Sequence, residues 1–380
     1  MFTVQDVDFA TFEREAEENG VELPLEQTEI WAKFQGDVPG RTPWKNLVVK
    51  SSDAAKSTCA LVSFIEYETH GYRYLRAVHG PIYVGVACVE AERAQNSADA
   101  THSLNPSTSP NSSTSLSPAV SSPHSLVNPA WEREILAAIS AFVKKTHPKV
   151  VFMRLAVQHY FSAECASLCY PVLSTRPYDS TVIIDLRGTT DDVLSRMKRR
   201  GRRDVNKALR ESPAVCADET EQAAASFVEY YSVMEDTAQR DGFVPAPQGD
   251  FERMLAFLGP EHCRVYAARV DGQLVAWSIV TIQHTRATRY YAAMCTSAMR
   301  DFVSDLLVFY ELCELPKRGV IDYDLMGIGS SFNESLLGLN PFKTKFSQDV
   351  VSVAPDADIP LRQVFYRCLR VAKWLRSFKK

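Results

Sequence analysis

Between residues 94 and 130 the chain carries eleven serines and five prolines, with Asp99 as its only charged side chain. A stretch of that composition buries too little apolar surface to offset the entropy of ordering it, so the folded mass must be built from what flanks it. Upstream, residues 60–68 and 72–78 read as strands. Downstream, residues 130–146 repeat apolar side chains at helical spacing (Trp131, Ile135, Leu136, Ile139, Phe142), and 149–157 is a β-branched run. Strand followed by helix followed by strand predicts an α/β (α+β) layer structure, with the Ser/Pro stretch inserted as a surface loop.

A second unit of similar make-up begins near residue 177. Residues 180–186 predict a strand, 189–209 a helix with Thr190, Asp191 and Asp192 at its start, and 223–239 another helix. Residues 264–270 and 274–283 predict a hairpin around Asp271-Gly272, continued by a strand at 290–295. A helix over 302–318 stops at Gly319, a strand over 320–325 runs into Gly327 and Gly329, and a helix is expected over 361–380. A length of 380 residues with 46% hydrophobic side chains suits two such domains.

The net charge of −4 gives no attraction of the whole molecule to nucleic acid or anionic lipid, so any polyanion must meet a local patch. Nine scattered cysteines without paired CxxC spacing predict reduced thiols. The first twenty residues carry acids where an export signal would carry basic and then apolar residues, and no apolar run approaches the ~20 residues of a membrane span. A cytoplasmic protein is the expectation.

Three segments are candidates for chemistry. Residues 196–210, RMKRRGRRDVNKALR, hold eight basic side chains against Asp204 alone. A solvated helical face accounts for ordinary charge runs, but seven net charges in fifteen residues suit a phosphate-rich partner. Residues 361–380 carry seven Lys or Arg and no acid around an apolar stripe, a pattern for docking on the protein itself or on an anionic membrane. The third is Asp322-Tyr-Asp-Leu-Met-Gly-Ile-Gly followed by Asn340-Pro-Phe-Lys-Thr-Lys-Phe-Ser. There an acidic strand end meets glycines, and Lys343 lies between Phe342 and Phe346, whose rings are expected to hold its ammonium. HExxH, GxSxG, GxxxxGK[ST] and a strand-to-helix GxGxxG are all missing, which argues against zinc and serine hydrolases, NTPases and dinucleotide enzymes. No metal site is expected.

Taken in order, several segments resemble the FemABX family of peptidoglycan interpeptide-bridge aminoacyltransferases. They are Pro24 to Trp31, His79-Gly-Pro-Ile82, Asp185-Leu with the segment from Met197 to Ala208, Arg240-Asp-Gly-Phe243, Tyr290-Tyr-Ala-Ala, Gly319 to Gly329, and Phe342-Lys-Thr-Lys-Phe346. The resemblance implies two tandem GNAT-like domains without a long coiled-coil arm, over 1–176 and 177–349, with 350–380 returning to the first. It implies transfer of an amino acid from aminoacyl-tRNA, a co-substrate in place of any bound cofactor, to the stem peptide of a peptidoglycan precursor, lipid II or its UDP-linked form. Contact with the inner face of the membrane, and with related Fem-type proteins, is implied as well.

Carried over by position, Lys343 matches the lysine that stabilises the oxyanion as ester becomes amide. Arg202, with Arg203 and Lys207, falls where phosphate is bound. Trp31, Lys33, Gln35, Asp324, Phe342 and Phe346 fall in substrate-binding positions, Asp324 also being a candidate base. Gln35 stands where relatives have a basic residue, the acidic end expected of the first-domain strand falls on Arg154-Leu-Ala-Val, and Lys345 and Ser347 replace small residues. Two other readings stay open: an acyl-CoA-dependent N-acyltransferase, and a non-catalytic protein binding RNA or anionic lipid.

Overall fold

The computed structural model describes residues 2–52, 57–84, 88–89, 126–157, 161–173 and 178–377. In chain order the first strands are β1 (Phe2–Val7), β2 (Arg41–Ser51), β3 (Thr58–Thr69), β4 (Tyr72–Val78), β5 (Ile82–Tyr83), β6 (Cys88–Val89), β7 (Leu126–Val127), β8 (Val150–Ala156) and β9 (Tyr170–Pro171). The second half adds β10 (Ser180–Asp185), β11 (Val215–Asp218), β12 (Cys263–Val270), β13 (Gln273–Gln283), β14 (Arg286–Met294), β15 (Asp322–Gly327), β16 (Val351–Ser352) and β17 (Ala357–Pro360).

Two mixed sheets result. The first runs β1-β2-β3-β4-β8-β17-β9, with β5 also against β3, and the second runs β11-β12-β13-β14-β15-β10-β16. Each holds one parallel pair in an otherwise antiparallel sheet, β4 with β8 and β14 with β15. The chain leaves the second sheet after Ser352 and re-enters the first at β17, which pairs with β8. Arg154 fastens that return: its Nε and Nη2 donate to the two carboxylate oxygens of Asp358 at 2.7 and 3.0 Å, and Tyr366 donates to the same group at 3.0 Å.

Most of the Ser/Pro insertion lies outside the described residues. At its margins β6 and β7 form a short ladder that brings its two ends together. Asn128 then caps a helix starting at Pro129, accepting from the amides of Ala130 and Trp131. That helix, Pro129–Thr146, buries Ile135, Leu136, Ile139 and Val143 on the first sheet. On the second sheet Val303–Glu314 plays the same part.

A third core joins the halves, where Trp31 and Phe34 pack with Phe227, Phe251 and Trp277. Outside it Arg253 Nε donates to Asp37 at 3.0 Å.

The helix predicted over 189–209 is two, Thr190–Arg196 and Arg199–Glu211. The break has a tertiary cause. Met197 turns extended, the Lys198 amide donates to the Lys345 carbonyl at 3.2 Å, and Gly201 packs so closely that a Cβ there would sit 2.1 Å from that carbonyl oxygen. The strand Phe2–Val7 and the helices Phe9–Glu18 and Gln248–His262 were not anticipated from the pattern.

Candidate functional site

Strands β14 and β15 pair in parallel only from Arg286–Asp322 to Thr288–Asp324, after which β14 continues with β13 and β15 with β10. Just beyond the ladder's end β15 turns through Met326, whose φ of 61° is unusual for a side chain of that size. Asp324 ties down this turn: its Oδ1 accepts from the Met326 amide at 2.7 Å and from the Thr181 hydroxyl. Glycine is required at 327 because a Cβ would lie 2.1 Å from the Tyr178 ring. Asn340 holds the following loop, bonding Gly329 through both its amide oxygen and its amide nitrogen.

Lys343 ends the short helix Asn340–Lys343 and reaches back to this turn. Its Nζ donates to the carbonyls of Met326 and Gly327 at 3.2 and 2.9 Å. Burial, reinforced by the Arg289 guanidinium, lowers its pKa to about 8, while Asp324 opposes the shift. Arg289 is itself held by Glu311, which also accepts from Tyr323 and Ser278 beneath the strand. Two of the three ammonium hydrogens go to carbonyls. The third leaves Lys343 able to donate to a substrate oxygen.

The aromatic pair does not hold this lysine. It is Lys345 whose Nζ lies 4.9 and 5.3 Å from the Phe342 and Phe346 ring centres, paired with Asp204 at 3.4 Å and with Asp305. Residues 343 and 345 leave the turn in different directions, one toward β15 and the other toward the basic helix. Phe346 is buried and Phe342 half-buried, so both form the wall behind the lysines.

The other expected site residues are placed differently. Arg202 sets Nη1 against the carbonyls of Ser195 and Met197, closing the end of the preceding helix. Arg203 is exposed and bonds Asp204, and Lys207 lies over the Phe302 ring at 4.5 Å with Glu211 nearby. Lys33 is exposed beside Glu29. Gln35 is 2% exposed, and its Oε1 accepts from Arg41 at 2.8 Å and Tyr67 at 3.1 Å. Trp31 is buried against Phe34 and Tyr290.

Across from Lys343 the first half contributes charges that sequence reasoning gave no role. His79, at the end of β4 with φ 55°, sets Nδ1 3.0 Å from Glu26, and 43% of its side chain remains open. Desolvation works against its charge, but Glu26, Asp324 and Asp356 raise its pKa above the ordinary value. Asp324 has its own pKa raised by burial, partly offset by Thr181, Met326, Lys343 and His79. Arg76 pairs with Asp356 at 3.4 Å. His79, Asp324 and Lys343 therefore share one electrostatic neighbourhood between the sheets. The described residues contain no cluster of three or more metal-ligating side chains.

Residues 195–344, the stretch that runs from the basic helix through Lys343, match the family described as the acetyltransferase (GNAT) domain. The molecule thus has a tandem GNAT-like acyltransferase fold, with two mixed sheets flanked by helices. The crystal structure of FemX superposes on 96% of this chain and 99% of its own, with a TM-score of 0.65 at 12% identity, so the resemblance to the Fem enzymes holds at the level of fold. A tandem GNAT protein from the clavulanic acid biosynthesis pathway aligns at 11% identity over 95% of this chain and 99% of its own, with a TM-score of 0.49. The C-terminal domain of a putative lysylphosphatidylglycerol synthetase from Agrobacterium fabrum aligns at 13% identity over 94% and 96%, also at 0.49. No curated protein sequence matches the chain.

Proposed function

We propose that this protein is a Fem-type aminoacyltransferase that moves an amino acid from aminoacyl-tRNA to an amine on the stem peptide of a peptidoglycan precursor. The observation that carries the reading is the Lys343 ammonium, pinned by two carbonyls at the mouth of the parted strands with one hydrogen left to donate. In aminolysis the acceptor nitrogen attacks the ester carbonyl, a C–N bond forms, and the carbonyl oxygen takes the electron pair. Lys343 meets that charge where burial has raised its electrostatic effect. Collapse of the adduct breaks the bond to the ribose oxygen, which leaves with the proton that the attacking nitrogen sheds as it becomes an amide.

The acceptor amine must first lose a proton. His79 is assigned as the group that receives it at Nε2, with Nδ1 occupied by Glu26 and the ring open to the cleft. Asp324 is assigned to the turn whose carbonyls hold Lys343, not to proton transfer. The exposed Arg203 and the partly exposed Lys207 are among the basic side chains of this helix assigned to phosphates of tRNA or precursor. The C-terminal helix Gln363–Ser377, with Val371, Trp374 and Leu375 exposed among arginines and lysines, suits peripheral contact with the inner membrane face.

Incubation with lipid II or its UDP-linked form and a pool of charged tRNAs, followed by mass analysis, tests the reading. A precursor heavier by an amino-acid residue supports it, with turnover lowered at least tenfold by Lys343→Met and reduced by His79→Gln. Product only with an acyl-CoA donor, the reading favoured by the GNAT match alone, would replace it.

A further inference from the structure

A cavity of about 690 Å³ lies away from the lysine turn, between the segment around Tyr170–Pro171, the loop at Ser331 and Phe332, the stretch 354–357 and the C-terminal helix. Its walls are predominantly apolar, with Phe161, Val172, Phe332 and Pro355 among them, and two charged side chains join the lining. One is Asp356, ion-paired with Arg76 in the cleft. The other is Lys373, whose Nζ donates to the Val172 carbonyl at 3.2 Å. Arg370, one turn earlier on the same helix, lies 4.8 Å from the centre of the Tyr170 ring.

We propose that this cavity takes the hydrocarbon chain of a phosphate-bearing membrane lipid, with the phosphate held at the mouth by Lys373 and Arg370. A peptide or nucleotide would bring more polar groups than such walls can satisfy, whereas a chain needs only apolar contact. The source of the ligand is set by the helix that carries Lys373. Val371, Trp374 and Leu375 on it are 54%, 59% and 54% exposed, and residues 361–380 hold seven basic side chains and no acid. That combination of apolar surface and positive charge complements an anionic bilayer, whose lipids carry phosphate at the head of their hydrocarbon chains.

The site stands apart from the aminoacyl-transfer reading and is tested by binding. The probe is dodecyl phosphate below its micelle-forming concentration, titrated calorimetrically into the full chain. Inorganic phosphate and a neutral dodecyl glycoside serve as controls. Saturable one-to-one binding is expected, at least tenfold tighter than either control. Ala354→Trp, which fills the cavity, and Lys373→Glu, which reverses the charge at its mouth, should each weaken it at least tenfold. Should Ala354→Trp fail to fold, Ser331→Trp does the same from an exposed wall. Binding unchanged in the filled variants, or equalled by either control, would overturn the proposal. Trp374→Ala should leave the monomeric probe unaffected while weakening attachment to vesicles containing phosphatidylglycerol.

Discussion

Lys343 and Lys345 stand two residues apart, each next to a phenylalanine, and the structure gives them opposite tasks. Lys345 is sealed against Asp204 and Asp305 and fixes the loop, while Lys343 keeps a depressed pKa and donates to only two carbonyls. Lys343→Met should lower turnover at least tenfold, equivalent to about 1.4 kcal/mol of lost transition-state stabilisation, measured as single-turnover transfer by the folded variant. Because only the ammonium can serve the oxyanion, wild-type activity should fall as pH rises through about 8. Stability should move the other way. With its folded pKa below the unfolded value, Lys343 makes the unfolded chain the greater proton binder between about 8 and the ordinary lysine range. The wild type should therefore gain stability relative to Lys343→Met across that window, as followed by urea unfolding at several pH values. A flat difference would show that the ammonium is not buried.

At the scale of elements, the basic segment divides into side chains that build the fold and side chains that face outward. Arg202 serves the carbonyl end of the helix before it, so Arg202→Ala should lower stability by about 1–2 kcal/mol in thermal unfolding and leave the salt dependence of tRNA or precursor binding nearly unchanged. Arg203→Ala with Lys207→Ala should do the reverse, flattening the salt dependence with little effect on melting. Gly201→Ala should cost about 3 kcal/mol or more, because a methyl placed 2.1 Å from the Lys345 carbonyl meets backbone that no rotamer change can move. Alternation of strands and helices was legible in the sequence, since the period of apolar residues is a local property. The break after Arg196 was not, because a carbonyl far along the chain imposes it. Nor was the lysine that meets the rings, because side-chain direction in a short turn is settled by what packs behind it. His79, named in a resembling segment, was given no role for the same reason, its partner Glu26 lying 53 residues earlier. The short helix Phe9–Glu18 was hidden by its acids, with only Phe12 and Ala16 fully buried along it.

For the whole molecule the question is what holds two similar halves at a fixed separation, since a site assembled from Lys343 on one and His79 on the other depends on it. The shared aromatic core and the return of β17 to the first sheet supply that constraint, and Arg154 with Asp358 locks the return in a buried, bidentate pair. Arg154 thus does a structural task at the strand end where the resemblance to the FemABX family led to the expectation of an acid. The Ser/Pro insertion belongs to none of these contacts among the described residues, and the β6–β7 ladder already brings its flanks side by side. Replacing residues 95–122 with a four-residue Gly/Ser turn shortens a loop whose closure entropy changes only with the logarithm of its length. Melting temperature should therefore stay within a few degrees of the parent and transfer activity within about twofold, provided β7 and the Asn128 cap are kept. A cut extended through residue 128 should instead lose stability, because it removes the ladder and uncaps the helix that covers the first sheet. If the shorter deletion alone abolished soluble protein, the segment would have to be part of the first domain's packing, and the division of labour between insertion and scaffold would fail.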